Sequence, residues 1–156
     1  NIYQKFKKDH KEFEKNALYV STSLYGIELL EDNVEKTRSR LFETLSKFYN
    51  DKYNYVLEKD LALSIKYVFK KNIIHGNALT LKTVKKNEDI IFAEWSMVNA
   101  TDFKRRDYTL NELLAYQPIK EENLFSDLGD KAFIPTPIKE YQPKHYLKIY
   151  EYSNSR

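Results

Sequence analysis

The sequence is poor in the residues from which several common kinds of site are built. It has no cysteine, which excludes disulfides and thiolate metal sites and fits the reducing cytoplasm, where we expect the protein to act. Its 3 glycines are isolated, so it has neither a P-loop nor a G-x-G-x-x-G turn, and none of its 4 prolines is adjacent to another. No apolar run approaches the ~20 residues of a membrane span, and the stretch 1–15 is too charged for a signal peptide. We therefore expect no membrane association.

The charge of the chain is nearly balanced. Its 156 residues include 26 Lys+Arg and 23 Asp+Glu, which gives a formal net charge of +3. Such a small excess creates no global field for nucleic acid, so DNA binding would need local clustering of cations. The length suits one domain with a real core, and the 13 tyrosines and 9 phenylalanines are typical of a globular protein.

Apolar periodicity predicts helices that alternate with short strands. Helices are predicted over 3–21, from an N-cap at Asp32 to a break at 50–54, over 58–71 and over 110–116; strands are predicted over 24–29 (buried), 72–78 and 89–95. Strands separated by helices indicate an α/β sheet with parallel pairing. The predicted organisation is an α/β domain over 1–116 and an irregular extension over 117–156, which belongs to the same domain or forms a tail. Within the extension, 146–152 is either an edge strand or part of that tail.

Two segments carry a resemblance to a known family. LYGIELLEDNVEKTRSRLFETL, at 24–45, resembles the part of adenine-specific (N6) DNA methyltransferases that follows their glycine-rich motif, and NIIHGNALT, at 72–80, resembles their next motif. IIFAEWSMVN, FKRRDYTLNELL and LFSDLGDKAFIPTP resemble the restriction–modification subgroup more loosely. The likeness covers about 17–141. It implies a partial Rossmann-like class I methyltransferase domain, with strands two to four of that fold, and S-adenosylmethionine as the cofactor.

The resemblance also implies which residues hold that cofactor. In the family the second strand ends in an acid that binds the ribose hydroxyls, and Glu28 stands at this position; a carboxylate offers two acceptor oxygens to a cis-diol. Leu29 and Leu30 would pack against the adenine. The third strand ends near the adenine amine, where the family supplies Asp and this chain has Asn77, followed by Ala78. We expect the amide oxygen of Asn77 to accept from that amine through a weaker, neutral hydrogen bond. Without the family, Glu28 is an ordinary polar residue at a strand end and Asn77 is a turn residue.

Two motifs of the family are missing. The glycine-rich turn after strand one would lie upstream of Asn1, and the Asn/Asp-Pro-Pro-Tyr/Phe tetrapeptide that holds the flipped base is not present. We therefore assign no catalytic residue. Without strand one the sheet lacks its centre, so the chain is a cut-out of a longer enzyme, is completed by a further polypeptide, or has a rearranged fold. We expect the isolated chain not to methylate DNA and to bind S-adenosylmethionine weakly or not at all.

A short basic run is the candidate for DNA contact. Lys104, Arg105 and Arg106 could bind phosphates, with Phe103 and Tyr108 placed for stacking. Charge runs are more often a solvated face of the protein. The leading interpretation is a fragment or subunit of an S-adenosylmethionine-dependent adenine-specific DNA methyltransferase of a restriction–modification system. The alternative is a small phage or mobile-element interaction module without catalytic activity, whose 104–106 surface binds protein or nucleic acid.

Histidine offers no metal site in this sequence. His75 has no second histidine or carboxylate at the spacing that a metal site requires, so we interpret it as a structural residue and predict no metal.

Overall fold

The computed structural model describes residues 10–115 and 135–154 of the chain. The helices are α1 (His10–Thr22), α2 (Glu31–Tyr53), α3 (Lys59–Asn72), α4 (Leu110–Ala115) and the 3₁₀ helix η1 (Tyr146–Asn154). The strands are β1 (Gly26–Glu28), β2 (Ile73–Asn77), β3 (Lys82–Thr83), β4 (Ile91–Met97), β5 (Asp102–Thr109), β6 (Lys139–Glu140) and β7 (Lys144–His145). The predicted helix start at 3–9 and residues 117–134 of the predicted extension lie outside the described residues.

β1 and β2 form the parallel pair that the sequence predicts. They are connected through α2 and α3, and their register places Glu28 opposite His75. β3 then pairs with β2 in the antiparallel direction, which gives the order β1-β2-β3. Gly76 allows Ile90 to approach this strand closely, since a Cβ at this position would lie 2.6 Å from Cδ1 of the buried Ile90 and that side chain would have to shift. The protein is therefore a mixed α/β fold, with one parallel pair built across two helices.

The second sheet centres on an antiparallel hairpin. β4 pairs with β5 along its whole length, and β6 and β7 pair with β5 on its other edge. β5 contains the basic run 104–106, for which the sequence analysis predicted no strand. η1 packs on α3, so this part of the predicted extension is joined to the helical layer.

The segment 146–152 is neither an edge strand nor a tail. It forms the 3₁₀ helix η1, in which Tyr146, Ile149 and Tyr152 are buried. Residues three apart are eclipsed in a 3₁₀ helix, so this spacing places all three side chains against α3 and the hairpin. The spacing of the three buried residues fits the period of three that a 3₁₀ helix has, and not the period of two of a strand.

The core lies between α3 and the inner face of the hairpin. α3 carries an apolar stripe of Leu61, Ile65 and Val68, each fully buried. The residues packed with it include Leu18, Tyr49, Phe69, Ala93, Trp95, Phe103 and Ile149. The hairpin is therefore attached to the helices by its inner face, and its outer face is left for other contacts.

A buried amide connects the two sheets. Asn72, the last residue of α3, is fully buried; its Nδ2 donates to the Thr22 carbonyl (3.1 Å) and its Oδ1 accepts from Trp95 Nε1 (3.0 Å). These bonds join the end of α1, the start of β2 and the middle of β4. An unpaired amide at this depth would cost roughly 1–3 kcal/mol, so the three elements are fixed together.

β1 is more exposed than the sequence predicted. The stretch 24–29 was expected to be a buried strand, but only Gly26–Glu28 is a strand and all three residues are half-buried. Leu24, Leu29 and Leu30 are 39%, 54% and 56% exposed. The physical reason is position: among the described residues β1 has β2 as its neighbour on one side only. The described residues around this segment therefore cover its apolar side chains only in part.

Arg105 and Asp107 form a buried ion pair on the inner face of β5. The guanidinium donates to both carboxylate oxygens (2.7 and 2.6 Å) and to the Tyr67 hydroxyl (2.7 Å). It also lies 4.4 Å from the ring centre of Tyr141, whose hydroxyl donates to Asp107. Burial alone would lower the pKa of Arg105, but the hydrogen bonds and charge of Asp107 outweigh it and raise that pKa. The pair is thus part of the core.

Replacement of Arg105 by methionine is expected to lower the free energy of unfolding by about 3–5 kcal/mol, because it leaves the buried Asp107 carboxylate without its counter-ion. The matched control, Arg106→Met, removes a partly exposed pair on the other face and should cost about 0–1 kcal/mol. Urea unfolding followed by the fluorescence of the single tryptophan, Trp95, measures both. Adding Asp107→Leu to Arg105→Met should recover much of the loss. Equal effects of the two arginine replacements would contradict this account.

Candidate functional site

Glu28 ends β1 with its carboxylate turned back on the chain. Its Oε1 accepts from the backbone N–H of Leu30 at 2.9 Å. α2 begins at the next residue, Glu31, and its N-cap is Leu30, which has no capping side chain. The predicted N-cap at Asp32 is therefore wrong by two residues, because the Glu28 carboxylate already satisfies a backbone donor before the helix starts. One oxygen of Glu28 orders the turn, and the second makes no hydrogen bond to another described residue.

His75 and Lys85 hold the same turn from β2 and from the loop that follows β3. His75 Nε2 lies 3.0 Å from the Leu29 carbonyl oxygen. A carbonyl can only accept, so Nε2 carries the hydrogen; Nδ1 is buried without a partner among residues 10–115 and 135–154. Lys85 pairs with Glu31, and its hydrogen bond and charge lower the pKa of that carboxyl. The interpretation of His75 as a structural residue agrees with this contact.

Asn77 ends β2 and organises the turn that follows it. Its Oδ1 accepts from the N–H groups of Leu79 (2.8 Å) and Thr80 (3.3 Å), and its backbone carbonyl accepts from Leu81 (2.8 Å). Ala78 lies exposed within this turn. The side chain is therefore oriented by the backbone of its own loop, as Asx residues often are in turns.

The structure brings the four predicted cofactor residues to one edge of the sheet. Glu28 and Leu29 follow β1, and Asn77 and Ala78 follow β2; the two strands are adjacent and parallel, so their carboxyl ends share an edge. This edge combines an anionic acceptor, an amide and the exposed side chains of Leu29 and Leu30. In open α/β sheets, ligands bind beyond the carboxyl ends of the strands. Chemically, a carboxylate oxygen accepts hydrogen bonds from hydroxyl groups, and exposed leucine side chains offer contact to an apolar ring.

The three predicted DNA contacts do not share a surface. Successive residues of β5 point to opposite faces, so Lys104 and Arg106 lie on the outer face and Arg105, 4% exposed, lies in the core. The Arg105 guanidinium is committed to Asp107 and is not presented to a phosphate, which corrects its selection as a surface contact. Lys104 pairs with Glu140 (2.6 Å) and Arg106 with Glu94 (3.3 Å). The outer face is therefore a compensated network rather than a purely basic patch.

An aromatic pocket that the sequence did not predict lies beside this network. It has a volume of about 440 Å³, and its walls include Tyr25, Phe92, Glu94, Arg106 and Tyr108. The Tyr25 hydroxyl donates to the carbonyl of residue 93 (2.7 Å), and burial, followed by the charge of Glu94, raises the pKa of Tyr25 to about 12. Its strand residues stand at alternate positions, Phe92 and Glu94 on β4 and Arg106 and Tyr108 on β5, and the register pairs them on the outer face of the hairpin. The sequence shows this set only once the pairing of the two strands is known.

Two further kinds of site can be assessed in the described parts of the chain. Residues 10–115 and 135–154 contain no group of three or more histidine, aspartate or glutamate side chains that could hold a metal ion. Among the helices of those same residues, none combines the length and apolar character that crossing a membrane requires.

Comparison with protein-family models, with curated proteins and with solved structures gives no significant match to this chain. A functional assignment therefore depends on the contacts at the ends of β1 and β2 and on the motifs that contain them.

His75→Leu is expected to loosen the turn at Leu29, because it removes the only side-chain donor that the described residues offer to that carbonyl. Amide hydrogen exchange at Leu30 should become about threefold to tenfold faster, as loss of one hydrogen bond implies. In His75→Gln the side-chain amide can still donate, so exchange there should stay near the wild-type rate. Equal exchange at Leu30 in both variants would show that His75 does not hold this turn.

The double replacement Glu94→Gln and Glu140→Gln should tighten binding to duplex DNA, because it frees Lys104 and Arg106 from their carboxylates. We expect a gain of about threefold to tenfold at low salt and a steeper salt dependence, as additional phosphate contacts release counterions. The control, Glu43→Gln with Asp51→Asn, makes the same change in net charge on exposed positions of α2. Fluorescence anisotropy with a labelled duplex compares them, and equal gains would exclude a specific role for the outer face of β5.

Proposed function

We propose that this chain is part of an S-adenosylmethionine-dependent, adenine-specific DNA methyltransferase of restriction–modification type, acting in the cytoplasm. The observation that carries the proposal is the pairing of β1 with β2. The pairing sets Glu28 and Asn77, which stand in the two family-like segments, at one edge of a parallel pair. Two motifs chosen by their sequence alone thus meet where α/β folds bind ligands.

The residues at this edge fit the cofactor they would hold. The second oxygen of Glu28 can accept from a ribose hydroxyl while the first keeps the N–H of Leu30. Leu29 and Leu30, more than half exposed, offer apolar surface to the adenine ring, and Asn77 and Ala78 lie at the neighbouring strand end. S-adenosylmethionine, when bound, supplies an electrophilic methyl group. The role of this chain is to bind and orient the nucleoside part, since it lacks the tetrapeptide that holds the target base.

A further polypeptide segment completes the site in this proposal. β1 carries no strand on its outer edge within the described residues, and its flanking leucines are exposed. A strand added there would satisfy backbone groups and cover apolar surface, and a glycine-rich turn after that strand would hold the rest of the cofactor. DNA is the second partner, approached by the outer face of β5 with Lys104 and Arg106.

The alternative, a small phage or mobile-element interaction module, is less well supported. Its binding surface would be the outer face of β5 with Lys104 and Arg106, which the leading proposal also uses for DNA, so this surface does not separate the two. The alternative also gives no role to the edge of the parallel pair at which Glu28 and Asn77 both lie.

The isolated chain is expected to bind S-adenosylmethionine weakly, with Kd on the order of 1 mM, because only the nucleoside half of the site is present. Glu28→Ala should weaken binding about tenfold to a hundredfold, as loss of a charged hydrogen-bond acceptor implies. Glu43→Ala, at an exposed position on α2, should leave it unchanged. Chemical-shift titration measures all three. Of the two outcomes expected from the sequence, weak binding or none, the proposal requires weak binding, so binding that does not depend on Glu28, or no binding at all, contradicts it.

A labelled methyl group should not pass from S-adenosylmethionine to duplex DNA on this chain alone. Transfer would contradict the proposal that another polypeptide segment holds the target adenine.

A further inference from the structure

The amide of Asn77 has a fixed orientation. Its Oδ1 accepts from two backbone N–H groups, those of Leu79 and Thr80. Rotating the amide by half a turn would set Nδ2, a donor, against those two donors, so the assignment of oxygen and nitrogen is determined by the turn itself. The oxygen is already shared between two donors and is poorly placed to accept a third from a ligand.

The remaining polar atom of this side chain is a donor. Nδ2 makes no hydrogen bond to any residue in 10–115 or 135–154, and Asn77 is only half-buried. An aspartate at this position would keep the turn with one oxygen and present the other as an acceptor. Asn77 has the same shape and presents two N–H groups instead. The two residues therefore offer opposite hydrogen-bonding character to whatever lies beyond β2.

The edge of the adenine ring carries one group that an acceptor would bind and one that a donor would bind. Its exocyclic amine is a donor, whereas ring nitrogen N1 is an acceptor. A free Nδ2 that faced the amine would bring two donors together and leave both unpaired on binding, at a cost comparable to a lost hydrogen bond. Facing N1, the same group donates to an unprotonated ring nitrogen.

We propose that Asn77 makes this site recognise the N1 acceptor of the adenine ring, by donation from Nδ2, and not the exocyclic amine. The inference rests on the proposed function, because it takes the base of the cofactor to lie at the end of β2. It defines the ligand class further: a purine nucleoside with an acceptor at N1, whose amine is dispensable for binding.

The test uses three ligands and two proteins. The ligands are S-adenosylhomocysteine, its counterpart with unsubstituted purine as the base, which lacks the amine, and its 1-deazaadenine counterpart, which lacks N1. The proteins are the wild-type chain and the isosteric variant Asn77→Asp. Chemical-shift titration gives each affinity, and the amide signals of Leu79 and Thr80 report whether the turn is retained.

For the wild-type chain we expect the purine compound to bind within about twofold of S-adenosylhomocysteine. The 1-deaza compound should bind about threefold to tenfold more weakly, the usual effect of one hydrogen bond. In Asn77→Asp the amine should become important, so that the purine compound binds about threefold to tenfold more weakly than S-adenosylhomocysteine. The wild-type comparison stands by itself if the variant does not fold.

Two results overturn the inference and leave the proposed function intact: Glu28-dependent binding in which the wild-type chain requires the amine, or in which it tolerates the loss of N1. If none of the three compounds binds in a Glu28-dependent way, the proposed function fails and the inference fails with it.

Discussion

The position of every functional element depends on the buried amide of Asn72. Its two hydrogen bonds join the end of α1 to the middle of β4, and the next residue along the chain is the first of β2. Other contacts support this connection between the two sheets: the Tyr25 hydroxyl donates to the carbonyl of residue 93, and the inner face of the hairpin packs on α3. With this amide satisfied on both sides, the edge that carries Glu28 and Asn77 is held in a fixed relation to the outer face of β5. The buried Asn72 amide thus helps to set the relative position of two exposed surfaces, the edge of the parallel pair and the outer face of β5.

Much of the helical layer and the parallel pair could be predicted from the sequence, because the apolar stripe of α3 and the short runs before Glu28 and Asn77 are local patterns. β4 was predicted as a strand over 89–95 and lies at Ile91–Met97, but its partner β5 could not be predicted, because β5 buries Arg105 and Asp107, the residue types that normally mark a surface. Their burial is possible only because the carboxylate, Tyr67 and Tyr141 satisfy the guanidinium, and those partners are distant in sequence. η1 was not predicted for a related reason: its three side chains are buried because they pack on α3, which is distant in the sequence.

The residues of the candidate site were predictable, but their hydrogen bonds were not. Glu28, Leu29, Asn77 and Ala78 follow from motifs, and the strand register brings them to one edge. Which atoms remain available to a ligand is decided by the turns: one oxygen of Glu28 and the only side-chain oxygen of Asn77 are committed to backbone donors. Sequence patterns identify side chains, whereas recognition depends on the atoms that folding leaves free.

The short length of β1 has a consequence for the dynamics of this edge. Three residues pair with β2 on one side, while β5 is paired along both edges and packed into the core. Elements with few buried apolar contacts open locally at a lower free energy than the core of the same protein. Glu28 therefore lies on a part of the fold that can open while the hairpin stays closed. Any ligand that bridges Glu28 and Asn77 would raise the free energy of this local opening. The end of the sheet would then unfold together with the core.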